Sequence, residues 1–148
     1  MIAKPLNPSR RLAVVFWTAA VLLAGLGRLA AGAEQGPVEL TVGSDGVQRG
    51  TITLDSYSYT PSHLIVQAGK PVELTLTSVT IIVPHNFLLK EPEAGLEVSQ
   101  DVGAGNTEKV RFTPTKPGTY TFYCDKKPPI PFASTHREKG MEGRLEVR

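Results

Sequence analysis

The sequence predicts an all-β fold, a Greek-key β-sandwich or barrel of about eight strands. Three observations point there. Short runs alternate apolar and polar side chains, glycine and proline punctuate those runs, and no window sustains a helical period with its caps.

The elements follow in order. Val38-Glu39-Leu40-Thr41-Val42 alternates and ends at a turn from Gly43 to Gly46. Thr51-Ile52-Thr53-Leu54 alternates again, and Tyr57 and Tyr59 precede the break at Pro61. Leu64-Ile65-Val66 and Val72-Glu73-Leu74-Thr75-Leu76 flank Gly69-Lys70-Pro71 as the arms of a hairpin would. Further strands are expected over 79–83, 86–89, 107–112, 118–124 and 143–148. Residues 91–105 carry four acids with Gly95, Gly103 and Gly105, and read mostly as loop.

With 148 residues, 41% hydrophobic and 20% charged, the chain has room for one globular domain. The formal charge of +2 mixes two segments. Residues 1–33 hold four cations (Lys4, Arg10, Arg11, Arg28) and no acid, which leaves 12 Lys and Arg against 14 Asp and Glu over 34–148. That balance is no footprint for nucleic acid.

Residues 1–33 read as an address. The uncharged stretch Leu12–Gly27 is shorter than the roughly 20 residues of a spanning helix, and Ala31-Gly32-Ala33 supplies an A-x-A cleavage pattern. The expectation is a secretory signal removed near Ala33. That would leave a soluble, exported domain over 34–148, periplasmic or otherwise extracytoplasmic. Ser9-Arg10-Arg11 resembles a twin-arginine signal, which would export a folded protein. The rival is an uncleaved anchor, and the membrane would then be touched through this segment alone.

Cys124 is the one cysteine, so no intramolecular disulfide forms. A lone thiol in an oxidising compartment is open to oxidation unless it is buried or bound. Residues 34–148 also contain three histidines and one methionine, and four of these side chains fall in the order His85, Cys124, His136, Met141. A thiolate, two imidazoles and a thioether are the set that holds copper in a trigonal His₂Cys site with a weak axial sulfur.

Three stretches then resemble the plastocyanin- and azurin-like blue copper proteins, the cupredoxins. Pro84-His85-Asn86 is similar to their first ligand loop, with Asn86 in the place of the residue that hydrogen-bonds between ligand loops. Gly118-Thr119-Tyr120-Thr121-Phe122-Tyr123-Cys124 resembles the strand that delivers the thiolate. His136-x4-Met141, within Gly140-Met141-Glu142-Gly143, resembles the closing loop. The resemblance implies a cupredoxin fold, one copper per chain, His85, Cys124 and His136 as equatorial ligands, and Met141 as the axial one. It departs from the family pattern in one respect. The family usually places the second histidine two to four residues after the cysteine, whereas here the spacing is Cys124-x11-His136. Three prolines in that gap lower the entropy lost when it closes.

The bland alternatives are a surface role for His63 at a strand start and a solvated Glu138 within loop reach of the metal. The leading functional expectation is a one-electron carrier rather than an enzyme. The alternatives are a periplasmic copper carrier that delivers its metal, a small open-site protein resembling the red copper variants, and a copper-free binding module. A binuclear centre is excluded because it needs two cysteines. Lys126, Lys127, Arg137 and Lys139 bracket Pro128-Pro129-Ile130-Pro131-Phe132. An apolar patch with a charged rim at this pole is the expected docking site of a redox partner protein.

Overall fold

In the computed structural model, which describes Met1 and residues 36–148, ten strands form two sheets. The address segment and its cleavage site at Ala33 lie outside the described residues. The strands are β1 (Val38–Glu39), β2 (Gln48–Asp55), β3 (Ser58–Thr60), β4 (His63–Val66), β5 (Val72–Ser78), β6 (His85–Glu91), β7 (Leu96–Val102), β8 (Thr107–Phe112), β9 (Gly118–Tyr123) and β10 (Glu142–Val147). The larger sheet has the order β1-β4-β10-β9-β6-β7, and the smaller one β3-β2-β5-β8. The all-β sandwich is therefore what the sequence predicts. Among the described residues, no helix is long and apolar enough to cross a membrane.

Alternation sets the faces. In β5 every second residue from Val72 to Ser78 is buried, and β2 turns Ile52 and Leu54 to the same interior. Between the sheets, Phe87 and Phe122 stack at 5.0 Å, and Tyr59 meets Phe122 edge-on at 5.2 Å. The Tyr59 hydroxyl donates to the Asn86 carbonyl at 2.6 Å, which ties this cluster to the strand carrying His85. Gly143 allows the closest approach, since a Cβ there would overlap the Phe122 ring and the Ser62 carbonyl.

Three expectations are corrected. Residues 64–66 and 72–76 do not form a hairpin: β4 lies in the larger sheet beside β1 and β10, while β5 crosses to the smaller sheet beside β2 and β8. Apolar side chains on both segments serve two sheets rather than one ladder. Residues 96–102 form a strand, not a loop. Leu96, Val98 and Val102 face inward, and the acids that mask the pattern occupy its outer face. Residues 79–83 form no strand. Their β-branched run finds no partner strand among the described residues, and Thr80 Oγ1 donates to the Val83 carbonyl at 2.6 Å, closing a turn that leaves Ile81 and Ile82 exposed.

Candidate metal centre

His85 opens β6, and Cys124 lies one residue beyond β9. These strands are antiparallel neighbours with Leu88 opposite Tyr123 and Leu89 opposite Phe122. Carried outward, that register sets Asn86 opposite Asp125, and the two side chains interlock there. Asn86 Nδ2 donates to Asp125 Oδ1 at 2.7 Å, and the Asp125 N–H donates to Asn86 Oδ1 at 3.1 Å. The Asn86 amide N–H points at Cys124 Sγ, 3.4 Å away. Asn86 thus connects the ligand strands, as its motif implied.

Met141 precedes β10. Tyr123 pairs with Glu142, and one step further the Cys124 N–H donates to the Met141 carbonyl at 3.1 Å. His136 alone stands off the ladder. Its N–H donates to the Lys126 carbonyl at 2.8 Å and its carbonyl accepts from Met141 N–H at 2.9 Å, which closes the loop at both ends. A 3-10 turn, Arg137–Lys139, follows and ends at Gly140, whose φ of 97° suits a residue without a Cβ. Thr135 and Glu138 cap this turn reciprocally. The Thr135 N–H donates to Glu138 Oε2 at 2.6 Å, and the Glu138 N–H donates to Thr135 Oγ1 at 3.2 Å. Glu138 is thus engaged in the cap, and Thr135-x-x-Glu138 was the sequence signal for it.

These elements bring the donor atoms of His85, Cys124 and His136 within 4.8 Å of one another. Cys124 Sγ lies 3.4 Å from His136 Nδ1, and the two imidazole rings are 5.1 Å apart. His85, Cys124 and Met141 are 0% exposed and His136 is 3% exposed. Met141 belongs to the same buried cluster as Cys124. His63 stands elsewhere, with Nε2 3.3 Å from Glu146 Oε2.

Burial governs the charge state of the three donors. It pushes the His85 imidazole down to about 4, with the neighbouring His136 adding to the effect. His136 is lowered by its burial and then by the Lys139 cation. The Cys124 thiol is pushed up by burial, against the opposing pull of the Asn86 N–H. Burial therefore favours the uncharged form of all three donors. Both ring nitrogens of His85 lack a hydrogen-bond partner among the described residues. A fully buried imidazole left this way costs free energy that a bound metal would recover. One sulfur and two imidazole nitrogens suit a soft or borderline transition metal, and the set fits copper.

Sequence reasoning missed one neighbour of the site, Tyr57, and its link to Lys139. Tyr57 meets His136 edge-on with ring centroids 5.0 Å apart, and Lys139 reaches the Tyr57 hydroxyl at 3.0 Å. No sequence pattern marked this contact. Around the site, Lys126 pairs with Asp101 at 2.8 Å and Arg137 with Glu142 at 3.3 Å. Three of the four expected rim cations are therefore engaged within the chain, counting Lys139. Ile81, Ile82, Ile130 and Phe132 are all exposed on the loops that flank the ligands.

The model of the cupredoxin-like domain family matches residues 13–133, ending just before His136. Among solved structures, the chain is similar to the metal-binding domain, with Cu(I), of the Cu(I)-exporting P-type ATPase CopA of Streptococcus pneumoniae D39. The two are 23% identical over 76% of this chain and 95% of that one, with a TM-score of 0.59. Reduced auracyanin from the photosynthetic bacterium Roseiflexus castenholzii is 20% identical over 72% and 99%, with a TM-score of 0.54. A copper-binding protein in its apo form is 16% identical over 78% and 99%, also at 0.54. At these identities the likeness is one of fold.

Proposed function

The chain belongs to the cupredoxin-like domain family, and on that premise we propose that it is a mononuclear copper protein whose task is one-electron transfer. One copper per chain would be held by His85, Cys124 and His136, with Met141 offering a thioether sulfur as a fourth donor. The observation that carries this is the buried trio, a thiol and two imidazoles within 4.8 Å of one another. When bound, copper supplies a Cu(I)/Cu(II) couple.

The chain's own residues do the rest. Burial keeps water from the donor atoms. The Asn86 N–H stabilises negative charge on Cys124 Sγ, and the Asn86–Asp125 interlock keeps the two ligand strands at constant spacing. The protein performs no substrate chemistry in this reading. Copper delivery and an open-site role both need a ligand edge that a partner or exogenous ligand reaches. The four side chains are at most 3% exposed, which favours a resident metal.

The proposed partner is a redox protein that docks at this end. Ile130 and Phe132 would carry the contact together with Ile81 and Ile82, because Lys126, Arg137 and Lys139 are engaged within the chain. Lys139 keeps its charge beside a neutral hydroxyl and would still steer an acidic partner in a salt-dependent way. The domain would work outside the cytoplasm after cleavage near Ala33. There the burial of its single thiol is an advantage.

The test is the visible and EPR spectrum with one equivalent of Cu(II). An intense thiolate-to-copper band with a narrow hyperfine splitting is expected, and Cys124→Ser should abolish the band while circular dichroism still reports β structure. Weak absorption with a wide splitting in the wild type would overturn the assignment.

A further inference from the structure

We propose that Tyr57 is a positioning residue for this site: its ring, clamped by Lys139, fixes the His136 imidazole and closes its solvent side. The role presupposes the metal centre proposed above.

Tyr57 reaches the site from the other sheet. It sits in the two-residue turn between β2 and β3, where Asp55 pairs with Ser58, whereas the ligands come from the larger sheet and its loop. Its φ is 63°, the left-handed region that disfavours a tyrosine and suits glycine. A bulky residue held there, touching a candidate ligand, is the kind of local strain that gathers at functional sites.

The contacts say what the ring does. Backbone hydrogen bonds to Lys126 and Met141 fix the main chain of His136, and Cys124 Sγ, 3.4 Å from Nδ1, holds one edge of its ring. Tyr57 meets that ring edge-on at 5.0 Å and 75°. Lys139, on the turn that follows His136, donates to the Tyr57 hydroxyl at 3.0 Å and lies 4.3 Å from the ring centroid. The ligand turn therefore grips the residue that grips the ligand. Burial agrees: His136 is 3% exposed although Arg137, Glu138, Lys139 and Gly140 are all exposed, and the half-buried Tyr57 stands against it.

Tyr57→Gly separates this role from mere packing, because glycine accepts the backbone conformation without strain. The test follows the His136 imidazole by NMR in the metal-free, full-length protein and then measures copper affinity. In Tyr57→Gly the His136 ring signals should broaden or shift toward averaged values, and copper affinity should fall about tenfold or more. Tyr57→Phe should restore the ring signals and most of the affinity. Unchanged His136 signals and affinity in Tyr57→Gly would overturn the proposal. If that variant does not fold, Lys139→Met carries the same readout, and unchanged signals there overturn the clamp. If the wild type shows no thiolate-to-copper band, the metal assignment fails, while the metal-free His136 signals still decide the role of Tyr57.

Discussion

Three of the four candidate ligands and the fourth are held by different physics. His85 opens β6, Cys124 lies one residue past β9, and Met141 lies one residue before β10, so strand register places all three. His136 stands after an eleven-residue gap and owes its place to local bonds: the Lys126 carbonyl, the Thr135–Glu138 cap, the Met141 N–H and the Tyr57 edge. The strand-held ligands share the stability of the sandwich core. His136 depends on a handful of bonds, most of them at the surface. Local opening of such a segment costs far less than unfolding the sheets. The site is therefore a rigid wall with one adjustable side, and the two should respond differently to the same kinds of perturbation.

The largest difference should come from the core. Phe122 is fully buried, stacks on Phe87, meets Tyr59 and packs under Gly143. Phe122→Ala should destabilise the domain by about 3–5 kcal/mol, read as a lower urea midpoint. It should take the strand-held ligands and His136 down together. An unchanged urea midpoint in Phe122→Ala would show that the strand-held ligands do not share the stability of the core, and would break the contrast between wall and loop.

A smaller effect comes from protons. Burial, then the neighbouring His136, pushes His85 down to about 4 from an ordinary value near 6.5. Above about pH 6.5 the imidazole is neutral in both the folded and unfolded chains, so it adds no pH dependence. As the pH falls below that, the unfolded chain takes up a proton that the folded one refuses. Stability of the metal-free protein is lost until the folded state also protonates near pH 4. The window is worth up to about 3 kcal/mol. Denaturant midpoints from pH 7 to pH 4 measure it, and His85→Asn should flatten the slope. An equal slope in wild type and variant would show that His85 is not buried as a neutral group.

Legibility in the sequence divides along the same line. Register-driven features were readable: alternation exposed β2, β5, β8, β9 and β10, and the residue types His, Cys, His and Met in order pointed to one metal. What was missed depends on partners distant in sequence. Residues 79–83 have the composition of a strand but meet no neighbouring edge, while 96–102 hide a strand under surface acids. The hairpin expected around Gly69 failed because whether a connection stays in one sheet depends on which sheet buries each face, and local turn chemistry does not reveal that. At the site, Tyr57 carries no mark at all, since its contact with His136 crosses from one sheet to the loop of the other. Thr135-x-x-Glu138 was legible as a cap, and reading it would have placed His136 at a turn start.

That cap supplies the smallest and most discriminating expected effect. Thr135→Ala removes one of the two reciprocal bonds, and in an exposed turn this costs about 1 kcal/mol or less. Global unfolding of the metal-free protein should hardly register it, because the sheets bear the cooperative stability. Opening of the loop should register it fully. The His136 and Met141 amides, which donate to the Lys126 and His136 carbonyls, should exchange up to about fivefold faster. The Tyr123 and Leu88 amides, opposite each other in the β9–β6 ladder, should keep their rates. Equal acceleration at all four amides would mean that the loop opens only when the sandwich does, and His136 would then be as firmly placed as its strand-held partners. Acceleration confined to His136 and Met141 would establish the loop as a separate unit. Because metal binding orders that unit along with the donors, adding copper should slow the same two amides most.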